Sequence, residues 1–312
     1  YKYDRLPLFA RIEEIAEKLC FSFYKGSLKK KKTFMKLLKE CANFKEDYKL
    51  IYKHFFMSKF CRIKLTPEEI SSFIDKKVLN YEDSILLAYL KGMLSGFSYE
   101  QSIKQVVIDE AQDYTTLQYI IISKIFKKAS FTILGDVNQN INPYYKHETL
   151  EDLMQIFPCS KYIELKKTYR SSKEIIDYTN KILGLNHVTA IRRENSKPVI
   201  YRSNISNLKK TILDDLNVLS LEYLKMAIIA KDHYIATKLY NTIKNDINVS
   251  LINDNAKGIN SDLVIIPAYL AKGLEFDCVI IYNDPLSKYK RNEKNLLYVA
   301  CTRAQHELYI YN

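Results

Sequence analysis

Two adjacent carboxylates, Asp109 and Glu110, stand between the apolar run Val106-Val107-Ile108 and Ala111-Gln112-Asp113. The pattern predicts a buried strand ending in a carboxylate pair, and open α/β sheets bind ligands at the C-terminal ends of their strands. Asp109 is suited to Mg²⁺, which takes one or two carboxylates plus phosphate oxygens. Glu110 is suited to deprotonating a water that attacks a γ-phosphate. An isolated Asp-Glu pair is also an ordinary solvated turn, so the pair alone does not decide. The next apolar run, Phe131-Thr132-Ile133-Leu134, ends the same way, in Gly135-Asp136-Val137-Asn138-Gln139. Gly135 permits a close backbone approach, and the Gln139 amide can sense a phosphate or a water.

Three later segments carry similar potential. Thr168-Tyr169-Arg170-Ser171-Ser172 sets an aromatic beside an arginine just ahead of a helix; a tyrosine stacks on a purine and an arginine forks onto phosphate oxygens. Taken alone it is a helix cap with a surface arginine. Ala271-Lys272-Gly273-Leu274-Glu275-Phe276-Asp277 lies between two strands, and the helix Asn295–Ala304 carries Arg303 near its C-terminus. Helix capping accounts for a cation there, and so does a finger that reaches a γ-phosphate.

These segments must be positioned by alternating elements. Residues 1 to about 100 have helical periodicity, with Pro67 after Thr66 marking a capped start and a helix from Tyr81 to Leu94 ending near Gly96. The run Lys29-Lys30-Lys31-Lys32 reads as a solvated connector, with phosphate contact as its functional alternative. From residue 105, strands at 106–108, 131–134 and 162–165 alternate with helices near 115–127 and 149–156, which argues for a parallel sheet covered on both faces. A second set of strands, at 199–201, 226–230, 249–252, 263–266, 278–282 and 308–311, alternates with helices near 205–219, 233–247 and 292–303. The joint is expected between Leu183 and Pro198, where Gly184, Asn186 and Arg192-Arg193 interrupt the periodicity.

Composition bounds the rest. The 312 residues carry 48 Lys plus Arg against 36 Asp plus Glu, a formal +12, with a sequence pI near 9.1. A polyanionic partner fits, nucleic acid before an anionic membrane, although a biased genomic base composition gives the same excess. Six cysteines without a C-x-x-C spacing and five scattered histidines write no zinc constellation, and the cysteines read as buried hydrophobes of a reducing compartment. No apolar run approaches the roughly 18 residues that span a bilayer, so a cytoplasmic protein without a membrane partner is expected.

In this order and spacing the segments resemble the UvrD/Rep/PcrA branch of superfamily 1 helicases, over about residues 100–312. Asp109-Glu110-Ala111-Gln112-Asp113 resembles motif II, the Walker B box; Gly135 to Gln139 resembles motif III and Thr168 to Ser172 motif IV. Ala271 to Phe276 is similar to motif V and Tyr298 to Ala304 to motif VI. The resemblance implies an α/β fold of two RecA-like lobes with parallel sheets, the first incomplete, plus an N-terminal helical element. Residues 1–100 would be that element, 101–185 the partial first lobe with motifs II to IV, and 186–312 the second lobe. It implies that Asp109 coordinates Mg²⁺, Glu110 activates water, Gln139 couples the γ-phosphate to the nucleic-acid site, and Tyr169 stacks on the adenine of ATP. Arg170 and Arg303 would meet the γ-phosphate, Glu275 the ribose, and Gly273 belongs to the nucleotide site.

Departures from the family pattern matter as much. G-x-x-x-x-G-K-[ST] is absent: none of the seven glycines is followed by lysine. Because that loop cradles the triphosphate, this chain alone is expected to be inactive, with the loop in an N-terminal part of the same protein. The tryptophan usual after motif III is also missing, for which Tyr144 or Tyr145 are substitutes. Only about a hundred residues separate motifs IV and V, which resembles the HelD-type branch that acts on RNA polymerase. The expected function is therefore part of an ATP-driven DNA motor working on single-stranded DNA, or an RNA polymerase-recycling ATPase. The alternative is a non-catalytic helicase-like module.

Overall fold

A computed structural model describes residues 6–41, 47–63, 65–75, 78–142, 145, 147–185, 188–191, 197, 199–203, 207–254, 261–285 and 287–312. The chain divides into two compact units, Tyr1–Leu134 with Glu151–Ser160, and Gly135–Leu150 with Lys161–Asn312.

The first unit opens with five helices: α1 (Leu8–Tyr24), α2 (Leu28–Cys41), α3 (Tyr48–Met57), α4 (Pro67–Ile74) and α5 (Tyr81–Ser95). Helix α1 buries Ile12, Ala16 and Cys20, a stripe at four-residue spacing. The start of α4 forms where expected: Thr66 Oγ1 accepts from Glu69 N–H at 3.2 Å while Glu69 Oε2 accepts from Thr66 N–H at 2.7 Å. Tyr52, Ile70 and Ile74 form a small core backed by Leu87 and Leu90. The lysine run does not form a connector. Lys29 to Lys32 lie in the first turns of α2, because Leu28, Phe34, Leu37 and Leu38 keep helical spacing through the charges.

Strands β1 (Gln105–Ile108) and β2 (Ser130–Ile133) pair in parallel, with Val106 opposite Phe131, and are linked by α6 (Thr116–Ile125). The strands are not buried as expected. Val107 is 62% exposed, because the sheet has two strands among the described residues and one face lacks cover. The segment 149–156 holds a 3-10 turn, Glu151–Gln155, in place of a helix.

In the second unit, the strand expected at 162–165 is absent: these residues form no ladder, and Ile163 and Leu165 are exposed. The short β3 (Lys167–Thr168) follows instead, then α7 (Lys173–Leu183) and β4 (Thr189–Ala190), which pairs with β3. Next come β5 (Ile200–Arg202), α8 (Leu208–Leu219), β6 (Met226–Ala230), α9 (His233–Ile243), β7 (Ser250–Leu251), β8 (Leu263–Pro267), β9 (Phe276–Tyr282), α10 (Lys294–Cys301) and β10 (Ala304–Tyr311). Six of these strands make one sheet in the order β5-β10-β9-β6-β8-β7, parallel throughout. Every residue of β6 and β8 is buried, which explains their unbroken apolar runs. Ile212, Leu216, Ile235 and Leu239 of α8 and α9 cover one face, and Ile175, Ala300 and Cys301 of α7 and α10 cover the other.

The α/β class with parallel sheets is therefore present. The boundary differs from the expected one: residues 135–150 and 161–185 pack with the second sheet, because Ile175 and its neighbours on α7 complete that sheet's core. Of the residues expected at the joint, Asn186, Arg192, Arg193 and Pro198 lie outside the described residues.

Candidate functional site

Each unit holds its own share of the candidate residues. In the first, Asp109 and Glu110 follow β1 directly. Glu110 has φ 50° and ψ 43°, left-handed backbone that costs a non-glycine residue about 1–2 kcal/mol. The surroundings hold it there. Glu110 N–H donates to Asp109 Oδ1 at 2.8 Å, Ala111 N–H to the Leu134 carbonyl at 2.8 Å, and Tyr119 Oη–H to the Ala111 carbonyl at 2.6 Å. The buried Gln112 amide donates to Glu110 Oε2 at 2.6 Å, so this carboxylate is oriented from the side. Strain maintained this way at a strand end is typical of functional positions.

Asp109 is exposed. Among the described residues no group of three or more His, Cys, Asp or Glu gathers to hold a metal. One free-standing carboxylate still fits Mg²⁺, whose remaining ligands are waters and substrate phosphates.

In the second unit the segments resembling motifs III, IV, V and VI are joined by direct contacts. Arg303, only 1% exposed, donates from Nη2 to Gln139 Oε1 at 2.7 Å, from Nε to the Val299 carbonyl at 3.0 Å and from Nη1 to the Leu274 carbonyl at 3.3 Å. Gln139 Nε2 donates to Asp136 Oδ2 at 3.0 Å. An arginine only donates and an ionised aspartate only accepts, so these two partners fix which way the amide points. Asp136 Oδ1 also accepts from Asn138 N–H, and Asn295 Nδ2 donates to the Asn138 carbonyl at 2.8 Å. Burial, with the charge of Asp136, pushes the nearby Tyr298 hydroxyl well above its usual pKa, against a smaller opposing effect of Arg303.

One residue beyond Leu274, Glu275 Oε1 pairs with Arg170 Nη2 at 2.8 Å. Glu275 Oε2 accepts from Gln305 Nε2 at 2.6 Å. Gly273 turns the chain into this segment at φ +78°, with open space where a Cβ would sit. Beside Arg170, the Tyr169 ring is 74% exposed, a free face for stacking. Gln139, Arg303, Glu275 and Arg170 therefore form one chain of neighbours through Leu274, while Asp109 and Glu110 belong to the other unit. Of the substitutes for tryptophan, Tyr144 lies outside the described residues, and Tyr145 packs edge-on against His147 at 4.9 Å.

Asp136, Asn295 and Gln305 were not singled out in the sequence. An Asx-type cap in Gly-Asp-Val-Asn was available as a signal for Asp136; nothing local marks Gln305 on its strand.

Two family models match the chain, the UvrD/REP helicase N-terminal domain over residues 12–149 and the UvrD-like helicase C-terminal domain over residues 262–311. The chain belongs to the UvrD/Rep-like family of superfamily 1 helicases. It is 26% identical over 132 residues to the ATP-dependent DNA helicase srs2 of Schizosaccharomyces pombe, covering 41% of this chain and 14% of that protein. It is 29% identical over 115 residues to the ATP-dependent DNA helicase Rep of Buchnera aphidicola, covering 35% and 17%. Among solved structures, the C-terminal domain of a possible DNA helicase from Lactobacillus plantarum is 29% identical, covering 46% of this chain and 86% of that chain, with a TM-score of 0.37. The chain thus spans less than a fifth of the length of these two curated relatives. No described helix is long and apolar enough to cross a membrane.

Proposed function

We propose that this chain is part of an ATP-hydrolysing DNA motor. Glu110 takes the proton from the water that attacks the γ-phosphate. Asp109 holds Mg²⁺, which when bound offsets charge on the phosphate oxygens. Arg170 and Arg303 donate to γ-phosphate oxygens as negative charge builds on them, Glu275 accepts from the ribose, and Tyr169 stacks on adenine. Gly273 keeps the backbone open beside the nucleotide, and Gln139 links the state of the phosphate to the nucleic-acid site. Single-stranded DNA is the track, and residues 1–100 are a helical element of the first lobe.

The observation that carries this reading is the contact between Gln139 and Arg303, 164 residues apart in sequence, together with the Arg170–Glu275 pair next to it. Four of the candidate residues meet in one unit, on elements with no other reason to share polar groups. The triphosphate cradle comes from a part of the same protein outside these residues, so this chain alone does not turn over ATP. All six cysteines are free, in keeping with a cytoplasmic protein. The short interval between Arg170 and Ala271 favours a second reading, a HelD-like ATPase that recycles RNA polymerase.

Glu110→Gln in the full-length protein tests the assignment. The expected result is loss of steady-state ATP hydrolysis with nucleotide affinity retained, and unchanged turnover would remove Glu110 from its role. If the unaltered protein shows no turnover with single-stranded DNA or with RNA polymerase, the non-catalytic module replaces the motor.

A further inference from the structure

The lysine run is the feature that the nucleotide chemistry does not use. Lys18, Lys25, Lys29, Lys30, Lys31, Lys32, Lys36 and Lys39 occupy α1, α2 and the turn between them, and no aspartate or glutamate falls between Lys18 and Lys39. One of the eight has a structural task. Lys31 bridges back to Glu17 at 2.7 Å and Glu13 at 3.1 Å on α1. Lys29, Lys32 and Lys36, at helical spacings of three and four, share an exposed stripe, and α2 buries no residue at all.

The same end of the hairpin exposes aromatic rings. Phe21 is 74% exposed, Phe23 71% and Tyr24 48%, and Lys30 Nζ lies 4.9 Å from the centre of the Tyr24 ring. The turn that presents them is tied down. Lys25 is left-handed at φ 50°, Gly26 has φ +86° and its N–H reaches the Cys20 carbonyl, and Cys20 Sγ donates to the Ser27 carbonyl. Lysines alone describe a solvated face. Solvated rings among lysines, with no acid nearby, match what single strands need, cations for phosphates and π-faces for bases.

We propose that the α1–α2 hairpin is a binding site for single-stranded nucleic acid, with phosphates on Lys29, Lys30 and Lys32 and bases against Phe21, Phe23 and Tyr24. It shares the ligand class of the proposed function but needs neither ATP nor Glu110, so the two stand or fall separately.

The test is fluorescence anisotropy of a labelled oligo-dT with the 312-residue chain, without nucleotide, between 0.1 and 1 M salt. Each phosphate contact adds about −0.7 to the log–log salt slope of a single strand. Replacing Lys29, Lys30 and Lys32 together by glutamine should therefore flatten the slope by about 2 and weaken binding about 100-fold at 0.1 M salt. Glutamine keeps helix propensity, and unchanged helical circular dichroism identifies a folded variant. Phe21→Ala and Phe23→Ala should each weaken binding about fivefold or more. Binding that survives the triple substitution overturns the site, as does the absence of binding by the unaltered chain. Equal competition by heparin together with no effect of the phenylalanine changes reduces the surface to a general polyanion patch and overturns it too, and so does capture by anionic phosphatidylserine vesicles in place of the oligonucleotide.

Discussion

Removing the Gln139 side chain should destabilise the second unit in a way that depends on Arg303. Gln139 supplies one of the four acceptors around a guanidinium that is 1% exposed. Hydrogen bonds to charged groups contribute about 1.5–3 kcal/mol, and a buried donor left without its acceptor costs a similar amount. Gln139→Ala also withdraws the donor from Asp136, which remains partly solvated, so the single change should cost about 2–4 kcal/mol. Arg303→Met leaves the carbonyls of Leu274 and Val299 short of a partner and should cost somewhat more. In the double variant the two losses overlap, and the coupling energy should be about 1.5–3 kcal/mol. Urea unfolding followed by circular dichroism reads these values, with tyrosine emission as the second probe because the chain has 25 Tyr and no Trp. A coupling below about 0.5 kcal/mol, the level of independent sites, would mean that the contact does not hold the two segments together, and the linkage of Gln139 to Arg303 would be withdrawn.

Three further outcomes follow from particular side chains. Burial raises the pKa of Asp215, but hydrogen bonds from Arg202 and Tyr311 outweigh it and leave the carboxyl below its usual value; its stabilising effect is complete above the unfolded value near 4 and disappears as pH falls through the lower folded value, so acid melts of Asp215→Asn should be less stable at neutral pH and flatter below pH 4. Cys41 and Cys159 are exposed while Cys20, Cys61, Cys278 and Cys301 are buried, with burial pushing the Cys301 thiol up, so a thiol reagent should modify two cysteines at once and the other four only on unfolding; rapid reaction of Cys301 would contradict the packing of α10. Gly273→Ala meets no atom within 4 Å but must adopt φ +78°, so a thermal melt should register a loss of about 1–2 kcal/mol, and no shift would mean that the turn relaxes.

What could be read in advance depended on how local each signal is. The strands β6, β8 and β9 are runs of Ile and Val buried on both faces, and such runs announce a parallel sheet without knowledge of their neighbours. The Thr66 and Thr115 caps are legible because the cap and its reciprocal acceptor lie three residues apart. The segment 162–165 misled because alternation in Tyr-Ile-Glu-Leu states only that a strand is compatible, and no partner strand lies beside it in the fold. Val106 to Ile108 misled for a related reason: apolar residues fix the strand but not how many neighbours cover it. The polar contacts divide in the same way. Asp136 is three residues from Gln139, whereas Gln305 reaches Glu275 across 30 residues and Asn295 reaches Asn138 across 157, distances over which residue type carries no register.

The two arginines assigned to the phosphate are held by opposite means, and that sets what each can do. Arg170 and Glu275 are 40% and 41% exposed, so water screens their attraction and opening the pair costs at most about 1 kcal/mol. Arg303 is enclosed, with Nε, Nη1 and Nη2 each committed to an acceptor, and moving it means breaking several bonds that water does not replace. In the proposed function Arg170 is therefore the residue that swings, leaving Glu275 free for the ribose as it turns to the phosphate. Arg303 instead stays in place, and the phosphate must come to it. Gln139 bonds to that fixed guanidinium on one side and to Asp136 on the other, so a shift of charge at Arg303 reaches the segment 136–139 directly, without any movement of α10.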